Sequence, residues 1–225
     1  MVSATLGAGA QTSSSQPAQP AAITPNQASL SVQARIKARR EQRRATAIHD
    51  VYSHLYEAYV GGGYLRFTPG SKLQRLNEYS WNVGVTRYYN EKLGVTIDGR
   101  GIYGTAYLGN NQFSLIKPAI SQYSAMIGPT YRFILQPKYS VSGRILVGGV
   151  FSNFYGDANG YNSADTGLYP DGSTLGASAS VPFEYNITPN VGLRVAPEYF
   201  LTSFGSTVQN NLGFTAGLVI RWGKQ

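Results

Sequence analysis

From Tyr56 to Trp222 apolar and polar residues alternate one for one, and the alternation restarts eight times. A period of two is the signature of a β-strand, because successive side chains leave opposite faces. The pattern predicts strands at about 57–68, 79–89, 93–105, 120–133, 139–151, 174–185, 191–202 and 210–222. In the second, Trp81, Val83 and Val85 oppose Ser80, Asn82, Gly84 and Thr86. In the eighth, Leu212, Phe214, Leu218, Ile220 and Trp222 oppose Asn211, Gly213, Thr215, Gly217 and Arg221. In the first, Tyr59, Leu65 and Phe67 fall on the apolar face, with Val60, Gly62, Tyr64 and Arg66 on the other. Short connections at 90–92, 135–138 and 186–190 alternate with long ones at 69–78, 106–119, 152–173 and 203–209. The expected fold class is therefore all-β, an eight-stranded antiparallel up-and-down barrel, whose closure leaves no exposed edge.

The composition of the two faces decides which one points inward. Eight strands enclose a space just wide enough for side chains. One face is mostly Gly, Ser, Thr and Asn, which suits that space, while the other carries Tyr, Trp, Phe, Leu, Ile and Val. Only 13% of residues are charged, against ~25% for an ordinary soluble domain. An apolar face turned out toward lipid accounts for both observations and makes the barrel transmembrane. A soluble lipocalin-like barrel is the alternative. Aromatics near strand ends (Tyr59 and Phe67, Trp81 and Tyr89, Tyr123 and Tyr131) read as interfacial girdles. Tyr59 to Phe67 measures roughly 26 Å along a strand, about 20 Å after tilt, near the ~25 Å apolar band of such barrels.

The chain upstream is different. Residues 1–10 read as the tail of a signal peptide, with Ala8-Gly9-Ala10 as a small-residue cleavage site, or as a plain terminus. Residues 11–28 are Gln, Ser, Pro and Ala, and read as a disordered linker. Residues 29–54 read as a basic helical arm bearing Arg35, Lys37, Arg39, Arg40, Arg43 and Arg44. The barrel occupies 55–225. With no Cys, disulfides, thiolate metal sites and Cys nucleophiles are excluded.

The segment 56–225 resembles the small bacterial outer-membrane β-barrels of the OmpA/OmpX-like class, the porin-family outer-membrane proteins. The most specific element is the last strand. Thr215, Gly217, Ile220 and Trp222 are similar to the C-terminal β-signal read by the barrel assembly machinery, although Gly223, Lys224 and Gln225 follow the aromatic. Ile187-Thr188-Pro189-Asn190 is similar to a periplasmic turn of these barrels. The resemblance implies an outer-membrane location, extracellular long loops and periplasmic termini. It also implies that the peptidoglycan-binding domain following some of these barrels is not part of this chain.

The candidate sites follow from that arrangement. The lumen face carries Arg66, Asp98, Arg100, Arg132, Arg144, Glu184, Arg194, Glu198 and Arg221. Simple meander registers place Arg144 near Glu184 and Glu184 near Arg194. An ion-paired plug of Arg144, Glu184, Arg194 and Glu198, with Asp98 and Arg100 beside it, is expected. The role read from this is structural or surface-interacting, with a lumen filled by polar and ion-paired side chains. The alternative is a narrow pore, and six basic against three acidic lumen residues would make it weakly anion-selective. The basic arm suits anionic headgroups or peptidoglycan, or else folds onto the barrel mouth. Nucleic acid is not expected, because no aromatic residues stand beside the arginines to stack on bases. Loop 153–173, rich in Asn, Gly, Asp and Tyr, suits an extracellular ligand. Its Asp157, Asn159 and Asp165 do not complete a calcium loop, since Tyr161 takes a ligand position and no Glu closes it. No cofactor, metal or catalytic site is expected. Both histidines, His49 and His54, precede the first strand, so the outer-leaflet end has no histidine base.

Overall fold

The computed structural model describes residues 32–108, 117–156, 160, 161 and 163–224. The chain divides into two compact units, residues 1–40 and 41–225. Of the first, the described part is the opening of helix α1 (Val32–Tyr52), where Arg35, Lys37, Arg39 and Arg40 are all exposed. Neither α1 nor any other described helix is long and apolar enough to cross a membrane, which says nothing about strands. Residues 1–31 lie outside the description, and with them the expected leader remnant and linker.

In the second unit nine strand segments form eight staves: β1 (Tyr56–Phe67), β2 (Leu76–Tyr88), β3 (Leu93–Thr105), β4 (Ala119–Leu135), β5 (Tyr139–Gly156), β6 (Gly172–Ser180), β7 (Phe183–Asn186), β8 (Val191–Thr202) and β9 (Gln209–Trp222). Each pairs antiparallel with its neighbours, and β1 closes on β9 from Tyr56↔Trp222 to Arg66↔Leu212. β6 and β7 make one stave, since both pair with β5 and β8. They are separate because Pro182 has no N–H for the ladder. The ladder resumes around it, with Ser142 N–H donating to Pro182 O and Val181 N–H to Pro197 O.

Burial alternates along every stave. Trp81, Val83, Val85, Ile97, Ile127, Ile145, Leu218 and Ile220 are exposed, while Asn82, Thr86, Asp98, Ser124, Arg144 and Arg221 are buried. The outside is therefore apolar on all sides, as a lipid-facing wall must be. Aromatics pair at both ends of it, Tyr56 stacked on Trp222 and Tyr139 on Phe183 at one, Tyr64 tilted against Phe214 and Tyr103 edge-on to Tyr123 at the other.

Stave β1 corrects the sequence reading. Tyr59, Leu65 and Phe67 point into the lumen, and Val60, Gly62 and Arg66 point out. The three glycines 61–63 carry no side chain to mark a face, so the alternation was read in the wrong phase. Tertiary contacts decide the matter. Tyr59 meets Asp98 inside and lies over Gly84, where even a Cβ would come within 2.4 Å of the ring. Trp81 and Tyr89, both exposed, take over as the girdle pair bracketing the apolar band.

Candidate functional site

The lumen is divided along its axis. Toward the short turns it is ionic. Glu57, inward at the start of β1, is the hub: it accepts from Arg132 Nη2 at 2.6 Å and Arg221 Nε at 2.9 Å, and also from Arg194. Glu184 on β7 takes Arg194 Nε at 3.0 Å and Arg221 Nη2 at 2.6 Å. All five side chains are buried. Buried charges persist only when paired and hydrogen-bonded, and each carboxylate here has at least two guanidinium partners. Closed strands supply the geometry, because residues far apart in sequence (Glu57 and Arg221, Glu57 and Arg194) become near neighbours around a narrow ring.

A second, smaller network lies further along. Arg100 donates to Asp98 Oδ1 at 2.8 Å and to Glu198 Oε1 at 2.6 Å. Tyr59 O–H closes on Asp98 and Ser178 O–H on Glu198. A ladder of hydroxyls, Thr86 to Thr96 at 2.7 Å and Thr96 to Thr130 at 2.6 Å, crosses three staves nearby.

Toward the long loops the lumen is apolar. Leu65, Phe67, Ile102, Ile120, Met126, Leu146, Val150, Phe154, Phe200 and Phe204 form one buried cluster with Leu168 and Tyr169 of the β5–β6 loop. Phe154 is central, stacked on Phe67 at 6.0 Å and edge-on to Phe204 at 5.0 Å. Gln209 fixes the 203–208 turn over this mouth: its side chain accepts from Phe204 N–H and donates to Phe204 O, both at 2.9 Å. Gly205, at φ +59°, permits the reversal there. Tyr169 N–H reaches Pro69 O at 2.9 Å, joining two of the loops. Glu78, a buried acid in this half, accepts from Gln122 Nε2 at 3.1 and 3.2 Å.

The short-turn mouth is covered by the end of α1, within the same unit. Tyr52 is fully buried, its O–H donating to Gln136 O at 2.9 Å while Asn186 Nδ2 donates to the phenol oxygen at 2.8 Å. Its ring lies beneath the guanidiniums of Arg132 and Arg221, 5.0 and 5.6 Å from the centroid. Burial pushes the Tyr52 phenol above its ordinary range, so it stays neutral and remains a donor. Arg44 Nη2 to Gln136 Oε1 at 2.6 Å and His49 Nδ1 to Glu91 Oε1 at 2.8 Å hold the helix over the turns.

Set against the expected sites, the structure brings Glu184 to Arg194, and Asp98 to Arg100. Glu198 joins Arg100 instead of Arg144 or Arg194. Arg144 has no carboxylate: its guanidinium lies over the Tyr59 ring at 4.6 Å. It faces Ser180, and Glu184 lies past the Pro182 break, which shifts the simple register. Arg66 is outside, Glu57 and Glu78 are inside, and the described lumen holds five buried acids and five buried arginines. The expected basic excess, the ground for an anion preference, is not there. Nor is the filling polar throughout, since inward Ile102, Met126, Leu146 and Phe200 break the alternation where the core forms. Glu57 shares the face of Tyr59, so the opposite phase of β1 puts it outside, and Tyr52 lies ahead of the alternation. Thr215, Gly217, Ile220 and Trp222 all lie on β9, Ile220 and Trp222 facing out. Arg43 and Arg44 are exposed. In loop 153–173, Asp157 and Asn159 lie outside the described residues, Asp165 and Tyr161 are exposed, and Leu168 and Tyr169 turn inward. Among the described residues no group of three or more acidic or histidine side chains is placed to hold a metal.

These features define the fold of the small eight-stranded outer-membrane β-barrels. Among solved structures, the chain is similar to Neisserial surface protein A at 15% identity and a TM-score of 0.51, over 74% of this chain and 97% of that one. It is also similar to Ail, the attachment invasion locus protein of Yersinia pestis, solved with the heparin analogue sucrose octasulfate (16% identity, TM-score 0.46, 73% of this chain and 97% of that one). A third is the N-terminal β-barrel domain of Pseudomonas aeruginosa OprF (12% identity, TM-score 0.39, 74% and 98%). No protein-family model and no curated protein sequence matches the chain.

Proposed function

We infer that this protein is a non-catalytic, non-conducting barrel of the bacterial outer membrane that works through its surfaces. The observation that carries this reading is the filled lumen, with Tyr52 and five ion-paired residues at one end and a phenylalanine-rich core at the other. A path for solute would have to break buried pairs and then open an apolar core. The outward-facing apolar wall supports membrane insertion. The two outward arginines of β1 and β2, Arg66 and Arg87, stand at opposite ends of the wall, where charge on a lipid face costs little. In this reading the long loops face outside, the short turns and α1 face the periplasm, and β9 carries the assembly signal. The exposed basic residues of α1 meet anionic headgroups or peptidoglycan, and loop 153–173 meets an extracellular ligand. The test is single-channel recording of the full chain refolded into a planar bilayer, with heat-modifiable gel mobility as proof of folding. Silence is expected. Steady steps from a folded barrel would overturn the reading and make this a pore.

A further inference from the structure

One lumen arginine is without a carboxylate partner among the described residues. Arg144 is 6% exposed, deep in the barrel. Its Nε and Nη2 have no hydrogen-bond partner among the described residues. Those two N–H groups form one edge of the guanidinium, the fork that ordinarily takes a carboxylate side-on. No carboxylate is spare to fill it. Glu57 is taken by Arg132, Arg194 and Arg221, and Glu184 by Arg194 and Arg221. Asp98 and Glu198 are taken by Arg100, and Glu78 is held by Gln122.

The surroundings leave that edge uncovered. Arg144 and Arg194 both lie on the Tyr59 ring, at 4.6 and 4.5 Å from its centroid. Arg194 belongs to a network of three guanidiniums and two carboxylates, and Arg100 holds Asp98 and Glu198, so neither network has a spare carboxylate for Arg144. The residues opposite Arg144 in the ladder are Thr130 and Ser180, both too small to reach out and fill the fork. A buried guanidinium with an uncovered edge is costly as it stands, and the aromatic face offsets only part of that.

We propose that the Nε–Nη2 edge of Arg144 binds a small monovalent anion inside the closed lumen, an ion taken up as the barrel folds. The ion is the counter-charge that no carboxylate supplies at that edge. Tyr59, bonded to Asp98, is the aromatic neighbour that Arg144 shares with Arg194.

The test is equilibrium urea unfolding of the full chain in detergent micelles at fixed ionic strength, exchanging chloride for gluconate, an anion too large for the lumen. An ion bound only by the folded barrel raises the folding constant about tenfold for each tenfold rise in chloride above its dissociation constant. That slope is expected for the wild type and is expected to vanish in Arg144→Met. A wild-type barrel indifferent to chloride, or an Arg144→Met barrel with the same slope, would overturn the site. Crystals grown in bromide give a reading that needs no variant: anomalous density in hydrogen-bonding reach of both Nε and Nη2 is expected, and water in that place would overturn the proposal.

Discussion

Glu57 and Phe154 are both fully buried in the same barrel, yet they are held by unlike means. Around Glu57, three guanidiniums converge on one carboxylate with directional bonds of 2.6 to 2.9 Å from Arg132 and Arg221. Around Phe154, aromatic and aliphatic side chains meet at 5.0 to 6.1 Å between rings, with no charge among them. The ionic half depends on every partner being present, because removing one strands the others in a dry space. The apolar half depends on volume, and loses stability in proportion to the atoms removed. The difference suits the two ends. Short turns hold the ionic half rigidly enough for hydrogen-bond geometry, whereas the apolar half is finished by residues from long loops, and apolar contact tolerates the looser positioning of loops.

Five substitutions sharpen that contrast. Glu57→Gln should cost the most, about 3–5 kcal/mol in urea unfolding from micelles, because three arginines then share Glu184. Glu184→Gln, which leaves Glu57 in place, should cost less; equal losses would mean that Glu57 is not the hub. Leu146→Ala in the apolar half should cost about 2–4 kcal/mol, graded by the cavity left behind. Leu146→Met, nearly equal in volume, should cost under about 1.5 kcal/mol. No such near-neutral swap is expected at Glu57, where Glu57→Asp shortens the reach to all three partners. If Glu57→Asp proved as mild as Leu146→Met, the distinction between geometry and volume would fail.

The cover over the ionic half gives a smaller effect. Tyr52→Phe removes one hydroxyl that donates to Gln136 and accepts from Asn186, at a cost of about 0.5–1.5 kcal/mol. It should leave the bilayer silent because the ring still lies under Arg132 and Arg221. Arg44→Ala, on the exposed flank of α1, should shift stability by under about 0.5 kcal/mol. A larger loss at Arg44 than at Tyr52 would show that the helix is held from outside the mouth and not by its buried phenol.

Most of the wall was legible in the sequence. Seven of the eight predicted strands present the expected faces, since a lipid-facing wall must be apolar at every second residue whatever fills the lumen. The lumen was legible only where charge marked it. Glu184 with Arg194, and Asp98 with Arg100, follow from positions on neighbouring strands or on one strand. The rest depends on contacts across the barrel. Glu57 reaches Arg132 from three staves away, and no local spacing announces that.

What the sequence determined by itself, then, is the outer surface: period, strand number, turn order and the side turned to lipid, all of which are local or repeat every two residues. What tertiary structure decided is the interior. The phase of β1 across three glycines, the partner of each arginine, the apolar filling of one half and the seating of Tyr52 in the other all depend on closure. Closure brings the first stave against the last and makes distant residues neighbours, and a pairwise choice among many buried charges is settled by distance, which the order of residues does not encode.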